Sequence, residues 1–304
     1  MIIARYAVGD EICYGEQISP THWRRLEGVP FERIVPTATV DADADVRLLC
    51  PVERPRIFGV GFNYAAHARE TGHALPTRPA TFMKPDSAAI GPGEAIIYPA
   101  EGQRVDYECE LAVIIGRGGR RIAPGDADRH VFGFTCANDV SERPIQFAEM
   151  EAGCLLVGKG FDTFCPLGPV IATGLNHRAL AISTRLNGEL RQSSNTADLV
   201  FDVRFLDNPH FVEELRPLTG RDPAVSQFVL GQQDCQRYLE RLRQLLLFQV
   251  PRCEQEGKST LTVAVGCTGG RHRSVAIVEE LRPYLLGTGC AVDVSHRDIA
   301  QGGA

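Results

Sequence analysis

The sequence predicts two fold classes in one chain: an α+β part over the first two-thirds and an α/β part over the last third. Three observations carry this reading. Runs of β-branched and apolar residues at 105–115 and 131–137 read as strands. A strand, a Gly-rich turn and a helix follow one another over 259–286. Between the two patterns lies a seam, Ala197-Asp-Leu-Val-Phe-Asp-Val203, which reads as the end of one and the start of the other.

The chain has 304 residues, 44% apolar and 23% charged, the balance of ordinary globular proteins. No run of about 18 apolar residues occurs, so no membrane span is expected. Met1-Ile-Ile-Ala-Arg5 is not a basic stretch leading into an apolar one, so no secretory signal is expected and a cytoplasmic location is. Ten cysteines are scattered without a Cys-x-x-Cys pair, which suits reduced thiols better than a disulfide framework or structural zinc. The net charge of −6 is uneven. From Arg204 onward there are 12 basic and 12 acidic residues, against 20 and 26 before it. Neither part is basic enough to imply nucleic-acid binding through charge.

Gly59-Val-Gly-Phe-Asn63 reads as a strand and turn, with Asn63 an N-cap for a helix. His67 and Glu70 then share a helical face, where a carboxylate beside an imidazole suits a general base. Residues 105–115, Val-Asp-Tyr-Glu-Cys-Glu-Leu-Ala-Val-Ile-Ile, read as one strand with Glu108 and Glu110 on one face and Cys109 on the other. The stretch from Val131 delivers Asn138-Asp139 at its end. Three carboxylates without His or Cys suit Mg²⁺ or Mn²⁺ rather than zinc. On spacing alone, a solvated strand face is the commoner meaning of so short a pattern.

The motifs come as an ordered set. Asn63-Tyr-x-x-His67-x-x-Glu70 is followed by Lys84-Pro85, Asp106-Tyr-Glu108-Cys-Glu110, Asn138-Asp139-Val-Ser-x-Arg143-x-x-Gln146, Gly158-Lys159-Gly-Phe-Asp162 and Asn187-Gly188-Glu-x-Arg191-Gln192. This series resembles the fumarylacetoacetate hydrolase family, from near residue 1 to about 203. The resemblance implies a mixed β-roll and a Mg²⁺ or Mn²⁺ ion held by Glu108, Glu110 and Asp139. It implies catalysis by His67, Glu70 and Lys159, with Arg143, Gln146 and Lys84 on the substrate. The implied chemistry is hydrolysis, decarboxylation or isomerisation of a 2-oxo or 1,3-dicarbonyl acid through an enolate. Pro144 departs from the acidic residue common after the arginine. The family's later Gly-Asp-Val-Ile-x-Thr-Gly-Thr-Pro-type loop does not follow Thr196, so the roll is expected to be incomplete, with exposed sheet edges. Dimers are common in that family, which makes a homodimer an expectation.

In the last third, apolar residues at 235, 238, 239, 242, 245 and 246 predict a helix over 232–250 ended by Pro251. Residues 259–265 predict a buried strand. Gly266-Cys-Thr-Gly-Gly-Arg-His-Arg-Ser274 then opens a helix to about Leu286, which Pro283 should kink or shorten, and 290–294 read as a further strand. A Gly-rich turn at a helix N-terminus suits an anion. The loop also satisfies Cys-x5-Arg-Ser, the spacing of cysteine phosphatases, but with Gly266 in place of their histidine. A tight turn without a ligand is the other reading.

Asp198-Leu-Val-Phe-Asp202-Val-Arg204, Asn208-Pro-His210, Thr219-Gly220-x-Asp222, the 266–274 loop and His296-Arg297-Asp298 together resemble the C-terminal domain of the RapZ family, from about Ala197 onward. That resemblance implies binding of a phosphorylated sugar by Asp202, His210, Thr268, Gly269, His272 and Arg273. In some members it also implies small-RNA binding, which the balanced charge here argues against. The expected organisation is a small region at 1–50, a metal-binding hydrolase-like domain at 51–200 and a phosphometabolite-binding domain at 201–304. The expected function is metal-dependent enolate chemistry with an attached sugar-phosphate module. The alternatives are a RapZ-type regulator, or a chimeric join of two truncated domains with no intact activity.

Overall fold

Ile3 and Tyr6 lie on one strand and face opposite ways, and the sheet around them is packed on both sides. Ile3 clusters with Tyr14 and Leu26, whereas Ala4 and Tyr6 cluster with Trp23. A period of two produces this division, because alternate residues share a face. The computed structural model describes residues 1–61, 78–177, 180–255 and 260–300. It divides into two units, Met1–His177 with Ile182–Ser194, and Arg178–Ala181 with Asn195–Ala304.

The first unit begins with β1 (Ile2–Val8), β2 (Glu11–Ser19), β3 (His22–Leu26), β4 (Pro36–Ala42) and β5 (Arg47–Leu48). After β6 (Ile57–Gly61), β7 (Ala80–Lys84), β8 (Ala89–Ile90) and β9 (Val105–Asp106) come β10 (Cys109–Ile115), β11 (Val131–Asn138) and β12 (Ser141–Glu142). Helix α1 (Arg143–Glu151), the short α2 (Val157–Gly160), β13 (Cys165–Ala172), β14 (Ala181–Leu186) and β15 (Glu189–Asn195) complete the series. The main sheet runs β10-β11-β13-β1-β2-β3-β4, with β5 beside β1 and β8 beside β13. Its pairings are antiparallel except β8 with β13. Strands from residues 1–50 and 109–172 thus share one sheet. At its β10 end Val113 and Ile115 are exposed. The pair β6–β7 likewise exposes Phe58, Val60 and Met83 on one face.

The strand expected over 105–115 is interrupted. Pairing stops after Asp106 and resumes at Cys109, so Glu108 stands in the break rather than on a continuous strand with Glu110. The main chain still bridges it, since the Asp139 N–H donates to the Glu108 carbonyl at 2.9 Å.

The second unit holds β16 (Leu199–Asp202), α3 (Pro223–Leu230), α4 (Gln233–Gln255), β17 (Val263–Gly266) and α5 (Arg273–Leu286). The seam supplies β16, which pairs in parallel with β17, Leu199 opposite Val263 and Asp202 opposite Gly266. Parallel pairing needs a long crossover, which α3 and α4 provide. The core is continuous: Val203, Leu206, Val225, Val229, Leu239, Leu242, Leu246 and Ile277 pack together. The 3–4 spacing of Cys235, Leu239, Leu242 and Leu246 gives α4 its buried face.

Two sequence expectations differ here. Helix α4 continues through Pro251, and the Arg252 guanidinium donates to the Phe248 carbonyl at 2.7 Å in the disturbed turn. Helix α5 reaches Leu286, the expected end, with Pro283 inside it. Residues 290–294 form no strand. Strand propensity is a packing preference, and β17 takes its partner from β16 instead. The chain is a mixed α/β protein with antiparallel sheets. Among the described residues no helix is long and apolar enough to cross a membrane.

Candidate active site and anion loop

The first site is assembled by two glycines and two glutamates. Gly59 lies opposite Phe82 in the β6–β7 register. A Cβ at Gly59 would stand 2.1 Å from the Phe82 ring, so only glycine lets that ring lie flat on the strand. The ring in turn lies under the Lys159 ammonium, 5.1 Å from centroid to nitrogen. A Cβ at Gly158 would stand 2.5 Å from the Gln146 nitrogen, so its absence lets α2 press onto α1.

Glu142 caps α1. Its carboxylate accepts from the N–H groups of Ile145 (2.8 Å), Gln103 (2.8 Å) and Arg104 (3.1 Å). Burial works to raise its pKa, but these three donors hold it below the usual carboxylate range. Pro144 sits in the first turn of α1, where a missing N–H costs nothing, so the departure at this position is compatible with the helix. Glu149 gathers the next turn by accepting from the N–H groups of Leu156, Val157 and Gly158 at 3.2, 2.7 and 2.9 Å. Those are the free donors at the start of α2, and Lys159 follows them directly.

Lys159 is 4% exposed. Its ammonium donates to Glu108 Oε2 (2.7 Å), Asp139 Oδ2 (2.5 Å) and Ser141 Oγ (2.8 Å). Lys84 is 3% exposed and donates to the carbonyls of Val140 (3.0 Å) and Phe164 (2.8 Å). It also pairs with Asp139 Oδ1 at 2.7 Å. That contact misses hydrogen-bond alignment, and Oδ1 is a buried oxygen with no hydrogen-bond donor. Arg143 bonds Asp106 (2.9 Å), Glu108 (2.7 Å) and Gln146 (2.9 Å). Its guanidinium is thus bonded to the site's own side chains.

The carboxylates differ in charge state. Burial acts to raise Glu108, but Lys159 and Arg143 prevail and hold it low. Glu110 has no such escort. Burial first, then the charges of Glu108 and Asp139, push it up to about 7. Burial depresses Lys84, against the pull of Asp139. Gln192 on β15 accepts from the Cys109 N–H at 3.0 Å, and Asn138 Oδ1 from the Glu108 N–H at 3.0 Å, fixing the main chain on either side of Glu108.

Lys84, Glu108, Asp139, Arg143, Gln146 and Lys159 are therefore one connected cluster, with Glu110 within electrostatic reach. His67, Glu70 and Asn63 lie outside the described residues. Among the described residues no three His, Cys, Asp or Glu side chains converge as a metal cluster. The donor set nevertheless fits a hard divalent cation. It is all oxygen, and Glu110 lies under the negative charges of Glu108 and Asp139, which a bound cation would offset. Sequence reasoning passed over Ser141, Phe82, Glu142 and Glu149. Only Glu142 carried a local signal, an acidic residue before a helix start that contains proline.

The second site is the loop between β17 and α5. Arg273 is buried and donates to the carbonyls of Arg204 and Leu206, both at 2.8 Å, and to Thr268 Oγ1 at 3.1 Å. His272 caps α5, lies against the Arg216 carbonyl at 3.3 Å, and has its ring 6.4 Å from that of His210. Burial lowers its pKa. Gly269 faces open space. Asp202 is exposed and paired with Arg204, which holds its carboxyl low. The Cys267 thiol is raised by burial but lowered overall by donors from Ser274, Gly270 and Gly269, with Ser274 Oγ at 3.2 Å.

Comparison with known proteins bears on both sites. Residues 56–206 match the model described as Fumarylacetoacetate (FAA) hydrolase C-terminal, and residues 180–300 that of the RapZ C-terminal domain. A mitochondrial oxaloacetate tautomerase of Bos taurus is 46% identical over 195 residues, 61% of this chain and 62% of that protein. The chain thus spans 62% of the length of this curated relative. A solved 5-carboxymethyl-2-hydroxymuconate delta-isomerase from Mycobacterium smegmatis is 36% identical with a TM-score of 0.58, covering 64% of this chain and 76% of that one. A nucleotide-binding protein of Geobacter metallireducens is 57% identical over 106 residues, 35% of this chain and 37% of that protein.

Proposed function

From the premise that the chain belongs to the fumarylacetoacetate hydrolase family and also carries a RapZ C-terminal domain, we propose that its first unit performs divalent-metal-dependent enolate chemistry on a 2-oxo or 1,3-dicarbonyl acid. Enzymes of that family are generally dependent on a divalent metal. The relatives named as a tautomerase and an isomerase favour keto–enol isomerisation within that class. The observation that carries the proposal is the buried Lys159 ammonium between Glu108 and Asp139.

Glu108, Glu110 and Asp139 would hold Mg²⁺ or Mn²⁺, which supplies polarisation of substrate oxygens. Lys159 adds positive charge in a water-poor setting, where it stabilises negative charge developing on an enolate oxygen. Arg143 holds Glu108 and orients the Gln146 amide. Lys84 fixes Asp139 against the main chain at Val140 and Phe164. His67 and Glu70, by the family resemblance, would move the proton. The test is oxaloacetate tautomerisation with added Mn²⁺, in which Lys159→Met is expected to lower kcat roughly 100-fold or more. A rate indifferent to both Lys159→Met and Glu108→Gln would overturn the reading.

A second reading attaches to the other unit. The loop at the α5 N-terminus, with open space at Gly269 beside Thr268 and Arg273, suits a phosphorylated sugar. The nucleotide-binding relative supports a phosphorylated ligand. Calorimetric titration with glucosamine-6-phosphate tests it. Heat that Thr268→Val weakens is expected, and no heat in the intact chain would remove the idea.

A further inference from the structure

Asp139 is held by two buried ammonium groups, one on each oxygen, and the two are anchored differently. Lys84 on Oδ1 spends its remaining donors on the main-chain carbonyls of Val140 and Phe164. It cannot leave without stranding a charge among carbonyls that are part of the backbone. Lys159 on Oδ2 donates only to side chains, two carboxylates and the Ser141 hydroxyl. Each of those acceptors can exchange an ammonium for another cation by a small torsional change. The two carboxylates bridged by Lys159, Glu108 and Asp139, are two of the three groups that would bind a metal.

Building on the proposed metal site, we infer that Lys159 is an internal counter-ion which competes with the divalent cation for Glu108 and Asp139, while Lys84 is a fixed positioning residue for Asp139. Two partly buried carboxylates side by side repel one another, and without a metal the protein must neutralise them or keep one protonated. Lys159 does so from the Glu149-capped turn, with its ammonium over the Phe82 ring. When a divalent cation takes the carboxylates, the ammonium is released from both of them but stays tethered beside the site. Metal uptake thereby converts a structural ion pair into a free positive charge next to where substrate oxygens would lie. The same exchange makes metal affinity lower than the carboxylates alone would set, because the ion must displace a bound cation.

The test is Mn²⁺ binding to the full chain by calorimetry at mildly alkaline pH, without substrate. Lys159→Met and Lys159→Gln are both expected to bind Mn²⁺ about tenfold more tightly or better, because the competing charge is gone. Lys159→Arg, which keeps the charge, is expected to stay near or below the parent affinity. Lys84→Met is expected to bind about tenfold more weakly, as Asp139 loses its tether. Unchanged or weaker binding in both neutral Lys159 variants, with Glu108→Gln still abolishing uptake, would overturn the counter-ion inference and leave the metal site standing. Mn²⁺ uptake indifferent to Glu108→Gln would overturn the metal site itself, and the inference with it.

Discussion

The two units organise charge and core in opposite ways. The first buries charged side chains against one another, as at Lys84, Asp139, Lys159 and Glu108, and divides its apolar core into small clusters on both faces of a sheet. The second keeps one continuous core and satisfies its buried arginine mainly with main-chain carbonyls. The difference teaches where each unit is sensitive. A site of paired side-chain charges depends on every partner being present, whereas a loop pinned by backbone depends on the core beneath it.

Core truncation should show the largest contrast. Ile277→Ala in the continuous core is expected to cost about 2–5 kcal/mol, read from the helical circular dichroism, to which the second unit contributes most of the helix among the described residues. Leu26→Ala, in a cluster of three buried residues, should cost about 2 kcal/mol, the low end of that range, by Trp23 emission. Equal losses would break the contrast. Next in size is Glu149→Ala, which strands three N–H donors and should cost about 1–2 kcal/mol in urea denaturation. Amide exchange at 156–158 should quicken with it, and unchanged exchange would show that Glu149 does not hold the turn.

Acid should separate the units by pH. Burial lowers the folded-state pKa of His272, so the unfolded chain binds the proton more readily. Its share of stability is present above about pH 6.5 and is lost as pH falls through the lower folded value. In the first unit Arg25 holds Asp41 low, so that contribution survives until about pH 4 and is lost below it. Urea midpoints by helical dichroism should therefore begin to fall at higher pH than those by Trp23 emission. His272→Gln should remove the early fall. The smallest effect is expected at the partly exposed Arg243–Glu280 pair, where Glu280→Gln should cost about 0.5 kcal/mol or less.

Local order was legible where the signal lay in neighbouring residues. The apolar run of β11, the 3–4 spacing of α4 and the turn from β17 into α5 all follow from short-range pattern. The ordered motifs pointed to Lys84, Glu108, Asp139, Arg143, Gln146 and Lys159, and these lie together. Their division of labour was not legible. Nothing in the spacing separates Lys84, tied to main chain 56 and 80 residues away, from Lys159, tied to carboxylates 51 and 20 residues away. The break at Glu108 was equally hidden, because the partners that end one pairing at Asp106 and start the next at Cys109 lie on different, distant strands.

By itself the sequence determined the inventory: two units of different periodicity, a set of carboxylates and cations in the first, and a Gly-rich turn with Arg and His in the second. Tertiary structure decided which cation meets which oxygen, that residues 290–294 form no strand, and that α4 passes through Pro251. The physical reason is range. Periodicity and capping are settled within a few residues, where chain entropy is nearly fixed by local geometry. The partner of a buried charge is settled by desolvation, which depends on whatever the rest of the fold brings within reach.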